Sequence, residues 1–461
     1  MENSAEITGN QNIVIQNITD STITICQNGE IKDIRNELIS LKELLQDQQT
    51  KTFYSRNTLY QIDEFNENKF NYLTGKKAFN EYLTKEVTQA LSSYNPAIEK
   101  FLEKANGVTH DWETQTRISD IAKDLISYSF VGVLGVQLRK LMAIGKEDFS
   151  TIKQRKYVEN CILTARRILQ LMVFALVSEF WNHQKSQKCT TSEGFLKTIT
   201  SFFESGFELD IPTYRQMLEI FLSLYKQNKL DFIISEFTGP NSEQISDEDF
   251  VKACESMHQL NETLDRDRVT LLDCYKAELQ LTKFLVTFNY LSAYKMVSIK
   301  NIAYDEMRNN PPYYLHRYTA LGLDSKFNIN FEKVNYVQEP ISTDAILFFK
   351  EHYNRSINLF PFIIDINALS FENGSRICFY ECRDITDGSL NYRFLEDNQS
   401  TNVVFKNTLK TVEEINELMM DVEKQKKLKF DKVFQQFQEA QSAFLGQESK
   451  ADDFSPADVH E

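Results

Sequence analysis

The sequence Ile168–Trp181, ILQLMVFALVSEFW, is the most apolar run in the chain and indicates how the protein is built. It covers about 14 residues and includes the polar side chains of Gln170, Ser178 and Glu179. A helix that crosses a membrane needs about 20 consecutive apolar residues. The run therefore predicts a helix buried in a protein core, and the chain is expected to have no membrane contact.

A helical pattern extends outward from this run, from about Tyr72 to Leu323. Only 14 glycines and 8 prolines occur among the 461 residues, which is typical of long elements with few turns. Pro212 suits the first turn of a helix. The apolar residues recur at helical spacing in two clear sets: Phe79, Tyr82, Leu83, Val87; and Tyr214, Met217, Leu218, Phe221, Leu222, Tyr225.

The pattern changes to strands from about Phe327. Asn373-Gly374 and Asp387-Gly388 are hairpin turn signals that separate segments rich in β-branched and aromatic residues. Thr411 and Glu414 then open a helix. The sequence predicts a four-stranded antiparallel meander, followed by this helix, with strands in Pro361–Leu369, Arg376–Arg383, Leu390–Leu395 and Asn402–Phe405.

The N-terminal segment contains a short β-repeat. Two consecutive eleven-residue segments, Ile7–Asn17 and Ile18–Asn28, share Ile, Thr, Gln and Asn at matching positions. Alternating apolar residues predict two strands, and Asp20-Ser21 predicts the turn between them. An isolated hairpin is marginally stable in water, so we expect it to meet other copies of itself. Its apolar residues are Ile13, Ile15, Ile23 and Ile25.

A heptad seam follows the β-repeat. Glu30 and Glu37 fall at g positions, while Arg35 and Lys42 fall at e positions, which favours parallel association. Leucine at a with isoleucine at d leans toward a trimer or tetramer rather than a dimer. The alternative is an amphipathic helix that packs on its own body. The seam residues are Ile31, Ile34, Leu38, Leu41 and Leu45.

These patterns predict a mainly α protein with four parts. Residues 1–50 are expected to form the β-hairpin and coiled-coil stalk, and residues 51–325 a helical body. Residues 326–446 are expected to form an α+β module, and residues 447–461 a disordered acidic tail. No Gly/Ser- or Pro-rich linker precedes the α+β module, so we expect it to pack against the helical body.

Net charge and cysteine content indicate which partners and which cellular compartment suit the protein. The formal charge of −15 repels nucleic acid and anionic membranes at long range, so nucleic acid is not a favoured partner. The N-terminus lacks the basic and apolar regions of a secretory signal. Seven scattered cysteines suit reduced thiols and predict a cytoplasmic protein.

A basic region interrupts the acidic chain between Ile121 and Gln170, where nine basic residues oppose four acidic ones. Such a region suits a phosphate-bearing ligand or an acidic partner segment. The alternative is a solvated face that contacts the protein's own acidic surface. The candidate anion-binding residues are Arg139, Lys140, Lys153, Arg155, Lys156, Arg166 and Arg167.

No residue set satisfies a catalytic, metal or cofactor motif, and we expect no cofactor. Gly132 and Gly135 lack the spacing of a phosphate-binding loop. Seven residues, two of them prolines, separate Arg308 from His316, too many for the Arg-His signature of HEPN ribonucleases, and we expect a surface loop there. The alternative from the enzyme class is a metal-dependent nuclease with Asp365 and Glu381 as metal carboxylates and Arg383 beside them.

The segment Gly9–Asn17, followed by Ser21–Ile25 and an Ile/Leu-rich helix, resembles N-terminal modules appended to predicted bacterial conflict-system (antiphage) proteins. The resemblance covers about a tenth of the chain. It implies a setting in which such modules bring components together, and it implies no reaction. We therefore expect a homo-oligomeric scaffold, sensor or effector-associated component, which contacts another protein.

Overall fold

The structure is a computed structural model that describes residues 79–445, with gaps at 106–111, 146–150, 187–188, 239, 266–268, 307, 309–311, 322–331, 338–340, 396–399 and 402–421. The predicted stalk, with Ile13 to Leu45, lies outside the described residues. So do the acidic tail, the strand expected at Asn402–Phe405 and the helix start at Thr411.

Ten helices precede the first strand in the described part of the chain. Their starts are fixed by local chemistry: the Asp210 side chain accepts a hydrogen bond from the Thr213 N–H, with Pro212 in that first turn as predicted, and Thr270 and Asp273 form a capping box. The helices are α1 Glu81–Leu91, α2 Pro96–Ala105, α3 Trp112–Ser129, α4 Gly132–Gly145, α5 Thr151–Ser186, α6 Glu193–Glu204, α7 Ile211–Asn228, α8 Pro240–Ile245, α9 Glu248–Asp265 and α10 Leu271–Thr287.

Helix α5 is the centre of the body. It is 36 residues long, and every residue from Ile168 to Trp181 is buried. By length and hydropathy, Ile152–Lys185 qualifies as a membrane span, but its most apolar window lies wholly inside the fold. The prediction of a core helix is therefore confirmed, because α7, α4 and α10 cover this helix.

Two antiparallel sheets follow the helices. The first has the strand order β3-β2-β1-β4-β5, and the second has the order β6-β7-β8-β9. The first contains β1 Lys295–Asp305, β2 Tyr313–Ala320, β3 Glu332–Val337, β4 Ile346–Phe349 and β5 Ile357–Asn358. The second contains β6 Ile363–Asp365, β7 Ile377–Arg383, β8 Leu390–Phe394 and β9 Ser400–Thr401, with the short helix α11 Ile366–Leu369 between β6 and β7.

The first sheet was not expected, because the helical pattern was predicted to continue to Leu323. That prediction is wrong from Lys295 onward, where β1 and β2 form a long hairpin. Strand β1 is buried on both faces: Met296 packs into the main core, while Val297 and Ile299 pack into a separate cluster. A strand with two buried faces lacks the alternation that identifies strands from sequence.

The second sheet has the antiparallel order of the predicted meander, and it packs on the helical body as expected. The strand predicted at Pro361–Leu369 ends at Asp365, because Ile366–Leu369 is helical, and the fourth described strand is Ser400–Thr401, just before the predicted range. Phe174 of α5 contacts both Phe362 and Phe379 of the sheet region, with ring centroids 5.8 and 6.2 Å apart. Helix α12, Val422–Leu445, covers the same core, and its Phe437 ring lies 4.7 Å from the Tyr380 ring. One hydrophobic core thus spans helices and sheet.

Candidate functional site

Five ionisable side chains meet where α5, the α6–α7 loop and strands β7 and β8 come together. We call Arg166, Arg167, Glu208, Glu381 and Arg393 the seam cluster. Arg166 and Arg167 belong to α5, Glu208 to the loop, Glu381 to β7 and Arg393 to β8. The cluster therefore joins the helical body to the second sheet.

Each carboxylate of the seam cluster pairs with arginine. The Arg166 Nη1 atom lies 2.6 Å from Glu208 Oε2, and Arg393 Nη2 lies 3.6 Å from the same oxygen. Arg393 also forms an ion pair with Glu381 through its Nε atom. Glu208 thus links one guanidinium of the helix to one guanidinium of the sheet.

Arg167 forms the buried floor of the seam cluster, with 0% of its surface exposed. Its guanidinium carbon lies 4.5 Å from the centre of the Phe379 ring, and its Nη1 donates to Gln170 Oε1 at 2.6 Å. Burial lowers the pKa of Arg167 to about 10, although Glu208 and Glu381 act in the opposite direction. The side chain remains charged at neutral pH, so it is a buried cation stacked on an aromatic ring.

The two carboxylates differ in their protonation. Burial acts to raise the pKa of Glu208, but Arg166, Arg393 and Arg167 outweigh it and hold that pKa below its ordinary value. Burial raises the pKa of Glu381 to about 7, and the nearby Glu208 adds to the rise. Glu208 is therefore ionised at neutral pH, while Glu381 titrates there.

Several polar atoms of the cluster have no hydrogen-bond partner among the described residues: Arg166 Nε, Arg167 Nε, Arg167 Nη2 and Glu208 Oε1. Unpaired donors thus lie beside an unpaired acceptor and a second carboxylate. This mixture suits bridging water better than an anion, which the carboxylates would repel.

An exposed apolar pair lies directly beside the seam cluster. Phe207, the residue before Glu208, is 78% exposed, and Ile385 in the β7–β8 turn is 76% exposed. Ile385 lies against Gly206, where a Cβ atom would meet its Cδ1 at 2.4 Å. We call Phe207 and Ile385 the loop patch. Sequence reasoning missed it, because an apolar residue between strands or helices is usually assigned to the core.

The structure holds the two loops of the patch together. The Arg383 N–H donates to Ser205 O at 2.9 Å, and the Ser205 hydroxyl lies 2.6 Å from Phe207 O. In the turn, the Asp384 N–H donates to Ser389 O at 2.8 Å, and Asp384 Oδ1 accepts the Thr386 N–H at 2.7 Å. The patch is therefore built on a fixed backbone.

The seven predicted anion-binding residues do not form one site. Arg166 and Arg167 lie in the seam cluster, about 16 Å along α5 from Lys156. Arg155 pairs with Glu159 at 2.9 Å, and Arg139 lies over the Tyr128 ring at 5.5 Å. Arg139, Lys140, Lys153, Arg155 and Lys156 are at least partly exposed, and an anion site among them stays a prediction.

Reversal of Arg166 and Arg167 to glutamate tests whether these two side chains belong to the interior of the fold. Both side chains face inward, and Arg167 is fully buried. Glutamate at these positions would place new carboxylates beside Glu208 and Glu381. We expect the double reversal to unfold the protein.

The carboxylates of the nuclease alternative are not brought together. Asp365 pairs across the sheet with Ile377, so Glu381 lies four residues further along β7, about 13 Å away. Asp365 accepts hydrogen bonds from the Arg376 N–H, the Asn367 N–H and the Ser298 hydroxyl, and it pairs with Lys300. Arg383 donates to Gln441 and to Gly388 O. All three residues serve the packing of the sheet.

His316 and the cysteines Cys254 and Cys378 are also buried. We expected a surface loop at His316, but this residue is buried on strand β2. Its Nδ1 atom lies 3.0 Å from the Tyr353 hydroxyl. Burial raises the pKa of Cys254 to about 12 and also raises that of Cys378. Within the described residues, no group of three or more His, Cys, Asp or Glu side chains is arranged to hold a metal ion.

The geometry thus offers a buried ionic junction between helices and sheet, with a fixed apolar pair at its edge. The junction holds the two parts together through ion pairs, and the apolar pair can make contact with another molecule. No protein-family model, curated protein sequence or solved structure matches this chain.

Proposed function

We propose that the protein is a protein-interaction component that works as a homo-oligomer. The N-terminal stalk brings copies together, and the body, with helices and sheet packed as one core, is the platform that contacts another protein. The proposed setting is the cytoplasm of a bacterium, in a defence system. The stalk's resemblance to conflict-system modules supports that setting, and the free thiols at Cys161, Cys254 and Cys274 are compatible with it.

The observation that carries the proposal is the heptad seam from Ile31 to Leu45. Five apolar residues at alternating steps of three and four form a stripe that must be covered, and g and e residues of opposite charge flank it. The β-repeat before the seam also needs a partner, because a lone hairpin buries too little apolar surface. Parallel association of copies would cover the apolar stripe and also give the β-repeat its partner.

The ionisable residues of the body support the proposal, because they make structural contacts. Asp365, Glu381 and Arg383, which a nuclease would need, hold the second sheet in place. Glu278 caps α1, because its carboxylate accepts the backbone N–H groups of Asn80 and Leu83 at 3.0 and 3.4 Å. These groups serve as packing contacts.

Removal of the stalk is the experiment that tests the proposal. We expect light scattering to give a multiple of 53.8 kDa for the full chain and the mass of one copy for a chain that begins at Phe53. The reason is that both self-complementary elements precede Phe53. Circular dichroism of the shortened chain should show the helical signal of the body. Equal single-copy masses for both chains would end the proposal.

A further inference from the structure

We propose that the loop patch, Phe207 with Ile385, is the docking surface for a segment of a partner protein in which an apolar side chain is flanked by lysine or arginine. This inference rests on the proposed function, because it names the chemistry of the partner that the platform contacts. Three features of the molecule support it: the exposure of the pair, the fixed backbone beneath it and the charge around it.

The exposure of the pair is unusual for its size. Phe207 and Ile385 are the two most exposed large apolar side chains in the described part of the chain, and their loops touch at Gly206. Scattered single apolar side chains on a surface need no explanation, but two exposed ones on loops that touch can share one contact site. A few anchor residues that become buried on binding supply most of the energy in protein interfaces.

The fixed backbone favours binding. The contacts of Ser205 with Arg383 and of Asp384 with Ser389 hold the loops in one arrangement before a partner arrives. Glu208, the next residue after Phe207, is anchored by Arg166 of the central helix. A partner therefore does not have to order these loops when it binds, which removes a large entropic cost of association.

The charge around the pair selects a basic partner. Outside the seam cluster, four carboxylates, Glu204, Asp210, Asp384 and Asp387, lie within three residues of Phe207 or Ile385, against the single guanidinium of Arg383. Glu208 is already paired with Arg166 and Arg393. The Arg383 guanidinium already donates to Gln441 and Gly388, and the whole chain carries −15. Lysine or arginine beside the partner's anchor would pair with the carboxylates, while an acidic segment, such as residues 447–461, would be repelled.

A matched control lies elsewhere on the surface. Ile152, near the start of α5, is 70% exposed, but its neighbours include Lys153, Arg155 and Lys156. It has the same apolar exposure with the opposite charge around it. A basic segment should therefore discriminate between Ile152 and the loop patch.

The test selects peptides from a random display library on the full chain and removes those that also bind the double variant Phe207→Asp/Ile385→Asp. We expect the enriched peptides to carry an aromatic or aliphatic residue between basic residues. A labelled copy of the most enriched peptide should bind the full chain, and either Phe207→Ser or Ile385→Ser should weaken it at least about tenfold. Ile152→Ser should leave its affinity unchanged, and added salt should weaken it.

Each outcome decides the inference. Enriched peptides with acidic flanks, or the absence of any peptide that prefers the wild type to the double variant, would overturn it. The other possible occupant of the patch is a second copy of this chain. Light scattering of the double variant tests for it, because a loss of oligomer mass would show that a second copy covers the patch. Both side chains are exposed, so the melting temperature should not change. The mass test of the stalk is independent of these results.

Discussion

Replacement of Glu208 by alanine is expected to lower the free energy of unfolding by about 3–5 kcal/mol. Among the described residues, Glu208 is the only carboxylate that contacts both Arg166 and Arg393, and its removal leaves the Arg166 guanidinium without its counter-ion and Arg393 with Glu381 alone. Arg167 lies fully buried beside them and cannot turn toward water. Equilibrium unfolding in urea, with the slope compared between variant and wild type, measures the effect.

Glu248→Ala provides the matched control for that measurement. Glu248 pairs with Lys252 at 2.6 Å on the surface of α9, where water and salt screen the interaction. Its replacement should leave the free energy of unfolding nearly unchanged. If Glu208→Ala is as mild as Glu248→Ala, the seam cluster does not hold the helical body and the sheet together.

The stability of the protein is expected to fall as the pH rises from about 5 to about 8. Burial raises the pKa of three glutamates, to about 8 for Glu179 and about 7 for Glu278 and Glu381. In this range the unfolded chain ionises these groups, while the folded protein keeps them protonated, so the folded state loses relative stability as the pH rises. The total loss should be at least about 3 kcal/mol, because one unit of pKa difference corresponds to about 1.4 kcal/mol.

Groups with a lowered pKa act in the other direction but at lower pH. The pKa values of Glu208 and Glu236 are held below their ordinary range by basic partners, so their stabilising contribution is present above the unfolded value and disappears in acid. Glu179→Gln tests the assignment, because glutamine resembles the protonated acid. The variant should be more stable than wild type at about pH 8 and similar at about pH 5. A stability that rises through this interval would contradict the assignment.

The sequence allowed the prediction of elements whose pattern is local. The core helix at Ile168–Trp181 was recognisable because its length and apolar content leave few alternatives. The meander was recognisable from Asn373-Gly374 and Asp387-Gly388, and both glycines adopt the positive φ angles, 73° and 71°, that such turns require. Strands β1 and β2 escaped prediction because two-sided burial removed the alternation from β1.

The seam cluster depends on tertiary contacts, so the sequence predicted it only in part. Arg166-Arg167 in a charged region is usually a solvated pair, and nothing local shows that Arg167 stacks on Phe379, more than two hundred residues away. Glu208 lies in a loop without a motif. Phe207 was hidden for a similar reason, since its exposure depends on which loops the fold places beside it.

The most direct measurement of the central claim is native mass spectrometry of the full chain and its Leu38→Asp variant at the same concentration. A charge at this a position of the seam would lose its hydration without gaining a partner, so we expect assembly to fail. The wild type should appear at a multiple of 53.8 kDa and the variant at 53.8 kDa. A wild-type mass of one copy, or the same multiple for both proteins, would contradict the proposal that the N-terminal stalk assembles this protein.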